Sequence, residues 1–349
     1  MKKNHSTPKQ RISGSRIIGL KADFRDDVPQ LSTIEVSAPG SVMLMGEHAV
    51  LHGYPAVICA VNRYITVCLT PRSDTKVSIH SDLLGDYSST IDELKNKQSF
   101  QFVLAAIKLW RKKIFFGFDL EIHSDFSDRI GLGSSAAVTV ATLAALQKWL
   151  ENDIDLKVIY QMGLDVILAV QGMGSGADIT VSVLGGIIAY QTSPFKVEKL
   201  KCKPKIHLIY SGHKTPTTEV IQHVRKQSEQ QPELFSDLYS IIGEITLYGI
   251  QAIKKRDWEK LGSLFTIHQG LQDALGVNND ALSEIIYQAR QIPTVLGSKI
   301  SGSGLGDCAV VLGKMPKNYF PVNADQQQKG IKQISVSITD KGVGVNEKK

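Results

Sequence analysis

From Ile34 onward, short apolar runs alternate with glycine-rich turns, a strand pattern. The runs Val57–Val61, Tyr64–Leu69, Lys76–Ile79 and Phe118–Ile122 read as strands. After the glycines at 131 and 133 the period changes. Ala137, Val140, Ala141, Ala144 and Ala145 recur at helical spacing, and Leu143, Leu146 and Leu150 widen the apolar face. That predicts a largely buried helix. Gly185 and Gly186 then lead into a strand at Ile187–Tyr190.

Beyond Lys199 the strand-like run Ile206–Tyr210 precedes long helical patterns at Thr217–Lys226, Pro232–Lys254, Trp258–Leu275 and Asp280–Gln291. Strands at Cys308–Leu312 and Ile334–Ile338 close the chain. The class is therefore α+β in two parts, with an N-terminal part over 33–195, a C-terminal part over 196–349 and Pro194 as punctuation. The first 32 residues are polar and basic, lack the apolar core of a secretory signal, and read as a disordered tail.

Composition narrows the function classes. At 349 residues and 42% hydrophobic, the chain can bury one large core or two ordinary ones without staples. No apolar run approaches the roughly 18 residues of a membrane span, so no membrane partner is expected. Cys59, Cys68, Cys202 and Cys308 lie far apart, which excludes a disulfide scaffold and suits a reducing, cytoplasmic setting. The net charge of +6 sits partly at the chain ends, at Lys2, Lys3, Lys9, Lys348 and Lys349. That is not the stripe a nucleic-acid binder needs, and it suits an anionic small substrate.

Four segments could carry chemistry. Gly131-Leu132-Gly133-Ser134-Ser135-Ala136 stands directly before the buried helix. Glycines let a bulky anion approach the backbone, and the first helical N–H groups and the macrodipole favour negative charge. The same segment also reads as a glycine turn with Ser134 as helix N-cap. A dinucleotide fingerprint fits poorly, because a polar loop rather than a buried strand precedes it. Ser301-Gly302-Ser303-Gly304-Leu305-Gly306 is a second such loop, or a hairpin turn. In Gly174-Ser175-Gly176-Ala177-Asp178 the aspartate is either a turn former or a carboxylate at a site mouth. The fourth runs from Ala38-Pro39-Gly40-Ser41 to Gly46-Glu47-His48-Ala49-Val50-Leu51-His52-Gly53, where Glu47 and His48 interrupt an apolar stretch.

In this order the four segments resemble the small-molecule kinase family of galactokinase, homoserine kinase, mevalonate kinase and phosphomevalonate kinase. Gly46–Gly53 is most similar to the mevalonate kinase version, and Gln171–Ile179 to the phosphomevalonate kinase version. The resemblance implies an N-terminal α/β domain and a C-terminal α+β domain with ATP and acceptor between them. It implies that Gly131, Leu132, Gly133, Ser134, Ser135 and Ala136 wrap the nucleotide phosphates and that Ser135 is a Mg2+ ligand. Asp178 matches the catalytic aspartate. Glu47 and His48 would lie near the acceptor, and Gly302 and Ser303 would close the site.

The implied activity is ATP-dependent phosphorylation of a small-molecule hydroxyl. Mevalonate, in isoprenoid biosynthesis, comes first, then phosphomevalonate, then a sugar; a catalytically silent nucleotide-binding homologue is the other reading. A homodimer is the family's implied assembly. Two positions depart from the pattern: Ser41 stands where a lysine is usual, and Ile167 where mevalonate kinases carry a magnesium-binding glutamate, with Asp165 out of register. The loss of the lysine implies one cation fewer beside Asp178.

Overall fold

A computed structural model describes residues 32–127 and 130–346. The basic tail lies, Ser32 apart, outside the described residues. In chain order the first part contains β1 (Ile34–Met45), β2 (Ala56–Pro71), β3 (Lys76–Ser81), β4 (Gly85–Thr90), α1 (Gln101–Trp110), β5 (Phe118–Ser124), α2 (Ser134–Glu151), α3 (Leu156–Gln171), α4 (Ala177–Leu184), β6 (Ile187–Gln191) and β7 (Lys196–Leu200). The second contains β8 (Ile206–Tyr210), α5 (Thr217–Gln230), α6 (Pro232–Lys255), α7 (Trp258–Ala274), α8 (Asp280–Arg290), β9 (Val295–Ser301), β10 (Cys308–Gly313), α9 (Ala324–Gln328), β11 (Lys332–Ile334) and β12 (Gly344–Val345).

The first sheet runs β12-β1-β2-β5-β3-β4, with β6 paired to β2 and β7 to β6. It therefore continues past the division read at residue 195, and β12, the last strand among the described residues, returns to it. The second sheet is β11-β8-β10-β9. Pro39 has no N–H for a ladder bond, and the register jumps beside it, from Pro39 against Tyr64 to Gly40 against Val61. The two runs read at Val57–Val61 and Tyr64–Leu69 are thus one strand with Asn62 and Arg63 left over. The Asn62 N–H donates instead to the Ser337 carbonyl (2.9 Å).

The strand read at Ile334–Ile338 is a correction. Only Lys332–Ile334 pairs in the second sheet, and Ile338 bridges to Val61 of the first, because the chain crosses between sheets there. Four helices, α1, α3, α4 and α9, went unread. The clearest missed signal is Asp155, which caps α3 by accepting from the N–H groups of Lys157 and Val158.

The small residues of α2 let it pack closely on β1 and β2, and Ala137, Val140, Ala141, Ala144 and Ala145 are all buried as their spacing predicts. The α4 helix packs on α2 and β1, while α7 and α8 pack on β9. Among the described residues, no helix is long and apolar enough to cross a membrane.

Candidate functional site

The helix α2 begins without a side-chain cap. Its N-cap is Gly133, at φ 63° and ψ 34°, rather than Ser134, and no first-turn residue is acidic. The Ala137 N–H closes the first helical bond, onto the Gly133 carbonyl at 3.0 Å. The amides of Ser134, Ser135 and Ala136 therefore have no helical acceptors, and these residues line a cleft. The helix dipole adds partial positive charge there.

The loop before α2 is fastened to β1, since the Ser41 N–H donates to the Leu132 carbonyl at 3.0 Å. Leu132 itself is buried and sends its side chain to the core, so of the loop it alone does not line the cleft. Gly133 has no room for a side chain. A Cβ there would stand 2.0 Å from Ser41 Oγ and 3.4 Å from Asp178 Oδ1. At Gly131, φ 65°, a Cβ would meet Asp307 Cβ and Cγ at 2.8 Å. The two glycines of the loop are each pressed against an aspartate.

Asp178 is the second residue of α4, in its first turn, and opens onto the cleft. The Ser41 hydroxyl donates to its Oδ1 at 2.6 Å. Crowding by the cleft walls pushes the carboxyl above its usual range, and the Ser41 hydrogen bond opposes that shift. Ser41 thus occupies the place where the resemblance called for a lysine. Among the described residues, Asp178 takes part in no ion pair. Ile167 lines the cleft, whereas Asp165 is exposed on α3 and does not.

Asp307 closes the other side. It is buried, its backbone sits at φ 61°, and burial raises its carboxyl to about 6 against the opposing pull of Lys214 and His213. Lys214 also lines the cleft. Sequence reasoning passed over both. An acid ending a glycine run was the available signal for Asp307.

Glu47 and His48 reach the cleft wall from the turn after β1, with Gly302 and Ser303 beside them. His48 sits at φ 63°, an uncommon conformation for a side chain of its size. Its Nε2 lies 2.8 Å from the Ser303 carbonyl, which can only accept, so Nε2 carries the proton. Burial lowers its pKa, which leaves Nδ1 unprotonated.

Glu47 is held from behind. Lys299 Nζ, fully buried on β9, lies 2.5 Å from Glu47 Oε1 and also donates to the Ile300 carbonyl. Glu47 Oε2 faces His268 Nδ1 of α7 at 3.5 Å. Burial raises the Glu47 pKa and lowers that of Lys299, with each countering the other's shift. The pair ties the turn after β1 to the second sheet. This gives Glu47 a structural partner that the sequence did not reveal.

Comparison with known proteins gives three family-level matches. Residues 101–186 match "GHMP kinases N terminal domain", residues 250–318 match "GHMP kinases C terminal", and residues 22–71 match "Galactokinase galactose-binding signature". The chain is 35% identical over 295 residues to the mevalonate kinase of Pyrococcus furiosus, covering 79% of this chain and 88% of that protein. To the mevalonate kinase of Thermococcus gammatolerans it is 34% identical over 330 residues, covering 89% and 98%. In fold it is similar to the crystal structure of the Methanococcus jannaschii mevalonate kinase, with a TM-score of 0.72 at 22% identity, covering 89% of this chain and 99% of that one.

Proposed function

The chain belongs to the GHMP kinase family of ATP-dependent small-molecule kinases, and from that premise we propose that its acceptor is mevalonate, phosphorylated on a hydroxyl. The observation that carries the reading is the Ser41–Asp178 hydrogen bond set against Gly133, which brings a carboxylate to the edge of an uncapped helix N-terminus. Phosphoryl transfer asks a protein mainly for positioning and charge neutralisation, with a carboxylate to orient or deprotonate the attacking hydroxyl. The names of the relatives favour mevalonate over the phosphorylated acid and over sugars.

In this reading the Gly131–Ala136 segment holds the nucleotide phosphates with its free amides. Asp178 accepts the proton of the acceptor hydroxyl, and Ser41 fixes the carboxylate's orientation. His48, its Nε2 tied to the Ser303 carbonyl, lines the acceptor side with Glu47, and Lys214 adds positive charge to the cleft near Asp307. Gly302 and Ser303 close the cleft. The donor set fits Mg2+, since the Ser135 hydroxyl and a flanking carboxylate are hard oxygen ligands. Bound with the nucleotide at Ser135, Mg2+ would neutralise phosphate charge.

A coupled assay for ADP release tests the acceptor. Turnover is expected with mevalonate and not with galactose. Preference for phosphomevalonate would move the assignment to the neighbouring activity. Absence of turnover with all three would remove it.

Ser41→Ala tests the positioning. Its hydroxyl stabilises the ionised form of Asp178, so its removal should raise the working pKa and move the acidic limb of the rate profile to higher pH. A hydrogen bond to a charged group is worth about 1.5 kcal/mol, or roughly one pH unit. An unmoved limb in a folded variant would show that Ser41 does not tune Asp178.

A further inference from the structure

Two carboxylates bracket a loop built for anions. A polyphosphate brought against Gly131 and Gly133 meets Asp178 on one side and Asp307 on the other. Both acids repel it unless a cation comes between. Asp178 is accessible, bonded to Ser41, and has a proton to accept from the acceptor. Asp307 has no such role.

Asp307 is also built in. Its N–H donates to the His213 carbonyl (2.8 Å) and its carbonyl accepts from the Ser211 N–H (2.9 Å), so the backbone on both sides is fixed. The residue is 5% exposed, yet its Oδ1 is buried without a hydrogen-bond partner. A buried carboxylate oxygen left so is costly, and a bound cation is one partner that offsets the cost. The charged groups bearing on it, Lys214 and His213, do not return it to the ordinary carboxylate range.

We infer that Asp307 is the carboxylate that receives the divalent cation carried by the nucleotide, together with the Ser135 hydroxyl, in the role that Ile167 cannot fill. The inference rests on the kinase reading above and deepens it. Among the described residues, no three His, Cys, Asp or Glu side chains form a metal cage. That agrees with Mg2+ arriving on a nucleotide, held by one or two protein oxygens, phosphate oxygens and water.

The test is ADP binding by calorimetry, with Mg2+ and with EDTA, for the wild type and Asp307→Asn. Asparagine matches the shape of aspartate and tolerates the left-handed backbone. Asp307→Gly, free at that φ, serves if the first variant does not fold. In the wild type, Mg2+ should tighten ADP binding at least about tenfold, and the variant should lose most of that ratio, as metal sites do when a supporting group is removed. Metal-free ADP should bind the variant as well as or better than the wild type. The inference is overturned if the variant keeps the Mg2+ ratio, if both forms of ADP weaken equally, or if the wild type shows no Mg2+ preference. A wild type that binds ADP under neither condition would instead overturn the kinase reading itself.

Discussion

Asp178→Asn is expected to lower turnover at least about 100-fold while nucleotide binding stays intact, the size of effect that follows loss of a positioned general base. Asparagine keeps the shape of the side chain and an oxygen to accept from Ser41, so the 2.6 Å contact and the packing around Gly133 can persist. What it loses is the lone pair that takes the acceptor's proton. The measurement is steady-state turnover alongside ADP binding, with a thermal transition to establish folding. Binding should hold because the Gly131–Ala136 segment is untouched. A folded variant with near-normal turnover would remove Asp178 from the chemistry, and a loss confined to KM would make it a binding group.

The second large effect lies behind the cleft. Lys299→Met should destabilise the protein by about 3–5 kcal/mol, because it leaves the buried Glu47 carboxylate without its ion-pair partner. The deficit should depend on pH. Without Lys299, burial holds the Glu47 pKa further above its unfolded value. Below the unfolded value both states are protonated and nothing is lost. As pH rises through it, only the unfolded state ionises freely, so the deficit grows toward neutrality.

The double variant Glu47→Gln/Lys299→Met should recover most of the loss, since no buried charge remains. Urea midpoints at pH 5 and pH 7.5 for the wild type and the two variants decide it. A single variant as stable as wild type, or a deficit that does not shrink at pH 5, would mean that the pair does not bind the two sheets together.

The sequence by itself determined much of the element order. The helical spacing of Ala137, Val140, Ala141, Ala144 and Ala145 located α2, and alternation located the strands around it, because both signals are periodic and local. Glycines at 131, 133, 174 and 176 marked the backbone of the cleft for the same reason. Positive φ and close approach are needs that one residue type meets. The α4 helix was missed because it starts inside a segment that those glycines made look like a loop.

Tertiary structure alone decided which groups meet. Ser41 and Asp178 are 137 residues apart, and Glu47 and Lys299 are 252 apart. Nothing local distinguishes a serine that orients a carboxylate from one that ends a turn, or a lysine in the core from one in water. The lysine missing at position 41 had read as a missing cation. The fold answers it with a hydroxyl, and it sets the charged pair and the second acid elsewhere. Hydrogen bonds and ion pairs act over a few ångströms, and only packing β1, α2, α4 and the second sheet around one cleft brings these residues within that reach.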